Sequence, residues 1–254
     1  ILGINYNSTV IMKRKMLFCQ TGAAVNPFLA NMVAYWRFNS DSLDSTINAH
    51  NGTDTSINYS NAGIVNNCAT FDGTSSKIVV PQSTDFDFSD ISSDIPFTMG
   101  FFAKHNSSGS TQWIMSKRNG SVAQYDILFA GGFLYIYLYT NTSNYLSART
   151  NDTIVNGAWN YFTITYTGSG VNTGIKIYTS GLVGSGTSRS SAGTYTKMPI
   201  ASIPFVIGAE NFTGSFLLGL NGALDEVAIW KGVAYTQAQS LDAYNKLLTG
   251  NSLI

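Results

Sequence analysis

The chain has 254 residues, of which 44% are hydrophobic and only 11% charged, about half of ordinary usage. That length supports one large domain with a sizeable core. Lysine plus arginine and aspartate plus glutamate number 14 each, so the net charge is zero and the basic footprint of a nucleic-acid binder is missing. No apolar run approaches the roughly 20 residues of a membrane helix, so membrane insertion is not expected.

Residues 1–30 lack strand alternation and end at the turn signal Asn26-Pro27, so they read as an N-terminal arm or linker before a domain at 31–254. Lys13-Arg14-Lys15 is the one basic run, read as a solvated cluster. The apolar part of Met12–Gln20 is too short for a signal-peptide core, and the start at Ile1 leaves a longer precursor open. Cys19 and Cys68 allow one bridge, with two unpaired thiols as the default.

From residue 32 onward the text is short strands and turns. Val33–Phe38, Lys77–Val80, Phe97–Lys104, Gly132–Thr140, Trp159–Tyr166, Ile175–Tyr178, Phe205–Gly208 and Leu224–Trp230 are rich in β-branched and aromatic residues and are joined by Gly/Ser/Asn turns. This density predicts an all-β, two-sheet antiparallel sandwich. One helix is expected near the C-terminus, as a lid on a sheet end. Thr236 and Gln239 form a capping box, Leu241, Tyr244, Leu247 and Leu248 have helical spacing, and Gly250 ends it.

Alternation along each strand assigns the faces. Leu134, Ile136 and Leu138 look inward, which turns Tyr135, Tyr137 and Tyr139 outward. Phe97, Met99, Phe101 and Ala103 look inward, which turns Phe102 outward, and Tyr178 looks outward from its own strand. These five outward aromatics are the candidate carbohydrate-binding set, because apolar sugar faces stack on rings while hydroxyls bond to Tyr oxygens. Two other readings stay open at this point: a subunit interface, and packing under loops.

Several segments resemble the laminin-G-like jelly-roll domains of the concanavalin-A-like superfamily, over about Val33 to Leu248. Val33–Asn39 with Asp44–Gly52 resembles the opening strand and its turn. Phe71-Asp-Gly-Thr74 is similar to the F-D-G turn, and Phe97–Lys104 to the F-T-I-x-x-W-V-K strand. Ile114–Gly120, Gly157–Phe162 and Asn221–Trp230 are similar to later strands. The phrasing at Ser116-Lys-Arg-Asn119 and Trp230–Tyr235 resembles versions in bacteriophage virion proteins. The resemblance implies a jelly roll and a surface-displayed, non-catalytic binding module of a phage-like fibre or decoration protein. Its partners would be a glycan or cell-surface polymer and other virion subunits, with a homo-oligomer expected. The alternatives are a purely structural assembly protein and a secreted adhesin. The implied location is the virion surface or the extracellular space.

The resemblance also implies one structural calcium, held by the carbonyls of Asn39 and Gly73 and the carboxylate of Asp225. It includes glycoside hydrolases, which need two carboxyl groups across the scissile bond. The chain has only Glu210 and Glu226 as glutamates, and Asp126 is the one carboxylate in a middle strand, without a partner on that strand. Glu226 is expected to face opposite to Asp225. His50 and His105 sit in turn-rich regions with no nucleophile or zinc pattern, so no catalytic residues are expected.

Overall fold

The computed structural model describes residues 26–107, 109–120, 122–181 and 187–254. Lys13–Lys15, Cys19 and the rest of the arm through residue 25 lie outside the described residues. Residues 26–30 pack on the domain. Trp230 Nε1 donates to the Phe28 carbonyl at 2.7 Å, and Asn26 Nδ2 donates to the Leu253 carbonyl at 2.7 Å. Cys68 is a buried free thiol.

In chain order the strands are β1 (Met32–Trp36), β2 (Thr53–Thr55), β3 (Asn58–Ala62), β4 (Asn67–Asp72), β5 (Lys77–Val80), β6 (Phe97–His105), β7 (Gln112–Asn119), β8 (Val122–Ala130) and β9 (Phe133–Asn141). They continue with β10 (Asn144–Thr150), β11 (Asn160–Tyr166), β12 (Ile175–Thr179), β13 (Thr187–Ala192), β14 (Phe205–Ile207), β15 (Glu210–Phe212), β16 (Ser215–Leu217) and β17 (Asn221–Lys231). The order β12-β11-β6-β17-β4-β3, with β1 also on β17, makes a seven-stranded sheet. An eight-stranded sheet follows the order β13-β10-β9-β8-β7-β14-β5-β2, and β15-β16 is a separate hairpin. The strand pairings are antiparallel. The two large sheets form the sandwich expected from the alternation.

Between the sheets, Leu134, Ile136 and Leu138 meet Phe97, Met99, Phe101, Ile164 and Ile229 in one buried cluster. Trp36, Phe86 and Phe205 stack inside it, with centroids 6.0, 5.9 and 5.1 Å apart. Burying each such side chain contributes about 1.5–3 kcal/mol relative to exposure.

The helix α1 (Gln237–Leu248) carries the expected capping box, with Thr236 Oγ1 and the Gln239 side chain each meeting the other's backbone N–H. It does not lid a sheet end. It lies across the outer face of the seven-stranded sheet, where Tyr244 meets Phe102 and Tyr161 at 6.1 and 5.7 Å between ring centroids. Its buried stripe is Ser240, Ala243 and Leu247, while Leu248 is exposed. Approach is close enough that a Cβ on Gly181, at φ +70, would stand 2.6 Å from Leu241 Cα.

Alternation fails at one acidic position. Glu226 adopts φ +53 and sits where the β17–β6 register shifts between Asp225 and Ala228. Such a bulge inserts a residue and re-aims its side chain. Asp225 and Glu226 therefore both face the outer layer rather than opposite ways. Asp225 Oδ2 accepts from the N–H of Ile64 and Val65, and Glu226 Oε2 accepts from the Tyr35 hydroxyl.

Candidate functional site

The outer face of the eight-stranded sheet carries a row of rings along β9. Tyr135 and Tyr137 are 6.0 Å apart between centroids, and Tyr137 and Tyr139 are 5.9 Å apart, both pairs at 11° between planes. Side chains two apart on a strand share a face, which is why one strand can line up three rings. Tyr145 on β10 pairs with Tyr139 in register and stands edge-on to Tyr137 and Tyr139, at 5.4 and 5.9 Å. Tyr135, Tyr137 and Tyr145 are half-buried, and Tyr139 is 8% exposed. No described helix crosses this face; the one described α-helix covers the other sheet.

Beneath the Tyr139 end lies an ionic cluster. Arg118 Nη1 is 2.7 Å from Asp126 Oδ2 and 3.1 Å from Glu210 Oε1. Its guanidinium carbon lies 5.8 Å from the Tyr139 ring centroid. Burial raises the Asp126 carboxyl to about 6, against the opposing pull of Arg118 and the Tyr139 hydroxyl. Burial also raises Glu210, and Arg118 opposes it. The hairpin β15–β16 brings Glu210 here, giving Asp126 a cross-strand setting that its own strand could not reveal.

At the other end, Arg149 pairs in register with Tyr135, and its guanidinium carbon lies 4.0 Å from the Phe133 ring centroid. Ser147 stands opposite Tyr137 on one side and Ser190 on the other. The face thus presents phenol rings, hydroxyls and guanidinium groups, the kinds of group that stack on sugar rings and bond their hydroxyls.

Two of the five expected aromatics lie elsewhere. Phe102 is on β6 and Tyr178 on β12, both in the seven-stranded sheet, with the core between them and the tyrosine row. Phe102 is 2% exposed under Tyr244 of the helix, and Tyr178 is 4% exposed. Outward facing was read correctly for both, but facing does not report which sheet a strand joins. Tyr145, Arg118 and Arg149 were missed. The hairpin turn at Asn141–Asn144, flanked by Tyr139 and Tyr145, was the available signal for Tyr145.

The calcium residues do not form one donor shell. Gly73 follows β4 and packs against Asn221 at the first residue of β17. Asp225 is four residues further along that strand, roughly 13 Å away at strand rise. Two backbone N–H groups converge on Asp225 Oδ2, a polarity that suits a carboxylate and opposes a cation. Asp225 Oδ1 and Asn39 Oδ1 are buried without hydrogen-bond partners. Burial raises Asp225 to about 6. The three residues thus do not fit a shared cation. Among the described residues no group of three or more His, Cys, Asp or Glu side chains is placed to hold a metal.

The family described as concanavalin A-like lectin/glucanases superfamily (Laminin_G_3) matches residues 72–239. No curated protein matches the sequence. Among solved structures, the binding domain of Paraclostridial Mosquitocidal Protein 1 is similar with a TM-score of 0.66 at 16% identity, covering 85% of this chain and 52% of that one. Domain 4 of AbnA, a GH43 extracellular arabinanase from Geobacillus stearothermophilus in complex with arabinotriose, is similar at 0.61 and 22%, covering 84% and 98%. The binding domain of botulinum neurotoxin DC in complex with rat synaptotagmin II is similar at 0.61 and 14%, covering 85% and 52%. The chain spans about half the length of these toxin domains and nearly all of the arabinanase domain. At these identities the likeness is one of fold.

Proposed function

The chain belongs to the concanavalin A-like lectin/glucanase superfamily, and from that premise we propose that it is a non-catalytic carbohydrate-binding module. The observation that carries this reading is the stacked row of Tyr135, Tyr137 and Tyr139, of which Tyr135 and Tyr137, together with Tyr145 beside them, are half-exposed. The arabinanase domain, described with arabinotriose, lends support from the same fold. The carboxylates nearest the row are engaged by Arg118, and Asp126 is fully buried, so neither is presented to a scissile bond. A homo-oligomer displayed on a virion or extracellular surface is the setting we attach to the module. Its phage-like part rests on the phrasing at Ser116–Asn119 and Trp230–Tyr235.

The test is binding of the purified protein to a broad glycan array, with and without a calcium chelator, alongside its mass in solution. Selective signal that disappears in a Tyr135→Ala/Tyr137→Ala/Tyr139→Ala variant of unchanged fold is the expected result. A folded protein that binds no glycan overturns the reading. Signal lost on chelation would assign the ion a part that the placement of Asn39, Gly73 and Asp225 does not explain.

A further inference from the structure

The two ends of the tyrosine row differ in charge, and this difference, which rests on the carbohydrate reading above, narrows the class of sugar. At the Tyr139 end one guanidinium, that of Arg118, faces two carboxylates, Asp126 and Glu210. That end keeps negative character. The Tyr135 end opens into a pocket of about 160 Å³ lined by Tyr135, Ser147, Arg149, Ser188 and Ser190. One guanidinium, that of Arg149, and four hydroxyls face it, and none of its lining residues carries a carboxylate.

Arg149 is held in place. Arg149 stacks on Phe133 and donates from Nη1 to the Thr150 carbonyl at 3.2 Å. Arg189 on edge strand β13, in register with core-facing Ala148, turns the other way and donates from Nε to the Ile175 carbonyl of the seven-stranded sheet at 2.9 Å. Anchoring lowers the entropy lost when a guanidinium engages a ligand, and its planar fork matches a carboxylate. The pocket is smaller than the several hundred Å³ typical of drug-sized ligands, so it suits one sugar unit rather than a chain.

We propose that this pocket is the subsite for a carboxylate-bearing sugar unit, and that the row binds an acidic saccharide in one direction. The acid sits at Arg149, beside the hydroxyls of Ser147, Ser188 and Ser190. The units that follow lie along Tyr137 and Tyr145, toward the end where Asp126 and Glu210 repel a second carboxylate and favour neutral hydroxyls.

The probes are immobilised neutral glycans together with sialylated and uronate-containing glycans, each acidic one paired with its carboxyl-reduced counterpart. Wild type, Arg149→Gln and Tyr137→Ala are compared, with thermal unfolding as the check on fold. The expected result is binding of an acidic glycan that falls roughly tenfold or more on carboxyl reduction. Arg149→Gln produces a comparable fall for the acidic form and little change for the reduced one, and added salt weakens only the acidic form. Glycan binding that ignores both carboxyl reduction and Arg149→Gln, yet is lost in Tyr137→Ala, overturns the acid subsite and leaves the carbohydrate reading intact. Absence of binding to every probe by the folded protein overturns both.

Discussion

Each sheet turns aromatic rings away from the shared core, but the helix roofs over only those of the seven-stranded sheet. There Phe102, Tyr161 and Trp230 lie beneath Tyr244, Ala243 and Leu247 of the helix and beside Phe28 and Leu253 from the two ends of the described chain. On the eight-stranded sheet, Tyr135, Tyr137 and Tyr145 keep one side open. Outward aromatics alone therefore do not mark a binding surface. What distinguishes the two faces is where the C-terminal helix docks, over the layer that holds Asp225 with the Ile64 and Val65 N–H groups and Glu226 with Tyr35.

If one ring layer is structural and the other is held for a ligand, truncation should separate them. Trp230 is fully buried, meets Tyr235 at 4.8 Å and donates to the Phe28 carbonyl. Trp230→Ala is expected to lower unfolding free energy by about 3–5 kcal/mol in chemical denaturation. Tyr137→Ala, at a half-buried site, should cost clearly less while abolishing glycan binding. Equal losses in the two variants would erase the distinction between the faces.

A second contrast is titration. Burial raises Glu226 from 4.5 to about 8, with Tyr35 donating to it and Arg37 Nε 3.7 Å from Oε1. Its neighbour Asp225 is raised from 3.8 to about 6. A carboxyl with a raised folded pKa binds more protons folded than unfolded. The stability it contributes is complete below its unfolded value and is lost as pH rises through the folded one. Wild-type stability should therefore decline between about pH 4.5 and pH 8. Glu226→Gln should flatten the upper part of that decline in melts followed across pH. The remaining slope belongs to Asp225 and Asp126, both raised to about 6, and to Glu210, which burial also raises. An identical slope in Glu226→Gln would assign the titration to other groups.

Period-two alternation made the core legible, because Leu134, Ile136 and Leu138 had to share a face and the tyrosines had to take the other. Thr236, Gln239 and Gly250 made the helix legible, since each satisfies a terminus by local chemistry. What remained hidden was non-local. Strand β13, Thr-Ser-Arg-Ser-Ser-Ala, has almost no apolar residue and is a strand because β10 pairs with it. Glu210 joins Arg118 only through the fold of the β15–β16 hairpin. Glu226 takes a left-handed backbone without the glycine that would announce a bulge. Sheet membership of β6 and β12 depends on pairing partners, and so Phe102 and Tyr178 were grouped with rings on the far side of the sandwich.

Tyr178 gives the finest test of that grouping. Its strand β12 is at the edge of the seven-stranded sheet, with Ile175 and Ile177 in the core and Tyr178 facing away from it. Packed sheets stand about 10 Å apart, so a ligand on the tyrosine row cannot reach the Tyr178 hydroxyl. Tyr178→Phe removes only that hydroxyl and should leave glycan affinity unchanged, with stability within about 0.5 kcal/mol of wild type. Tyr137→Phe, the same chemical change on the open row, should weaken binding by the value of one hydrogen bond, about 1 kcal/mol, if that hydroxyl meets a sugar. Weaker binding in Tyr178→Phe than in Tyr137→Phe would move the site to the roofed sheet, into the space between β12 and the first turn of the helix, where Tyr178, Lys176 and Gln237 line a second pocket.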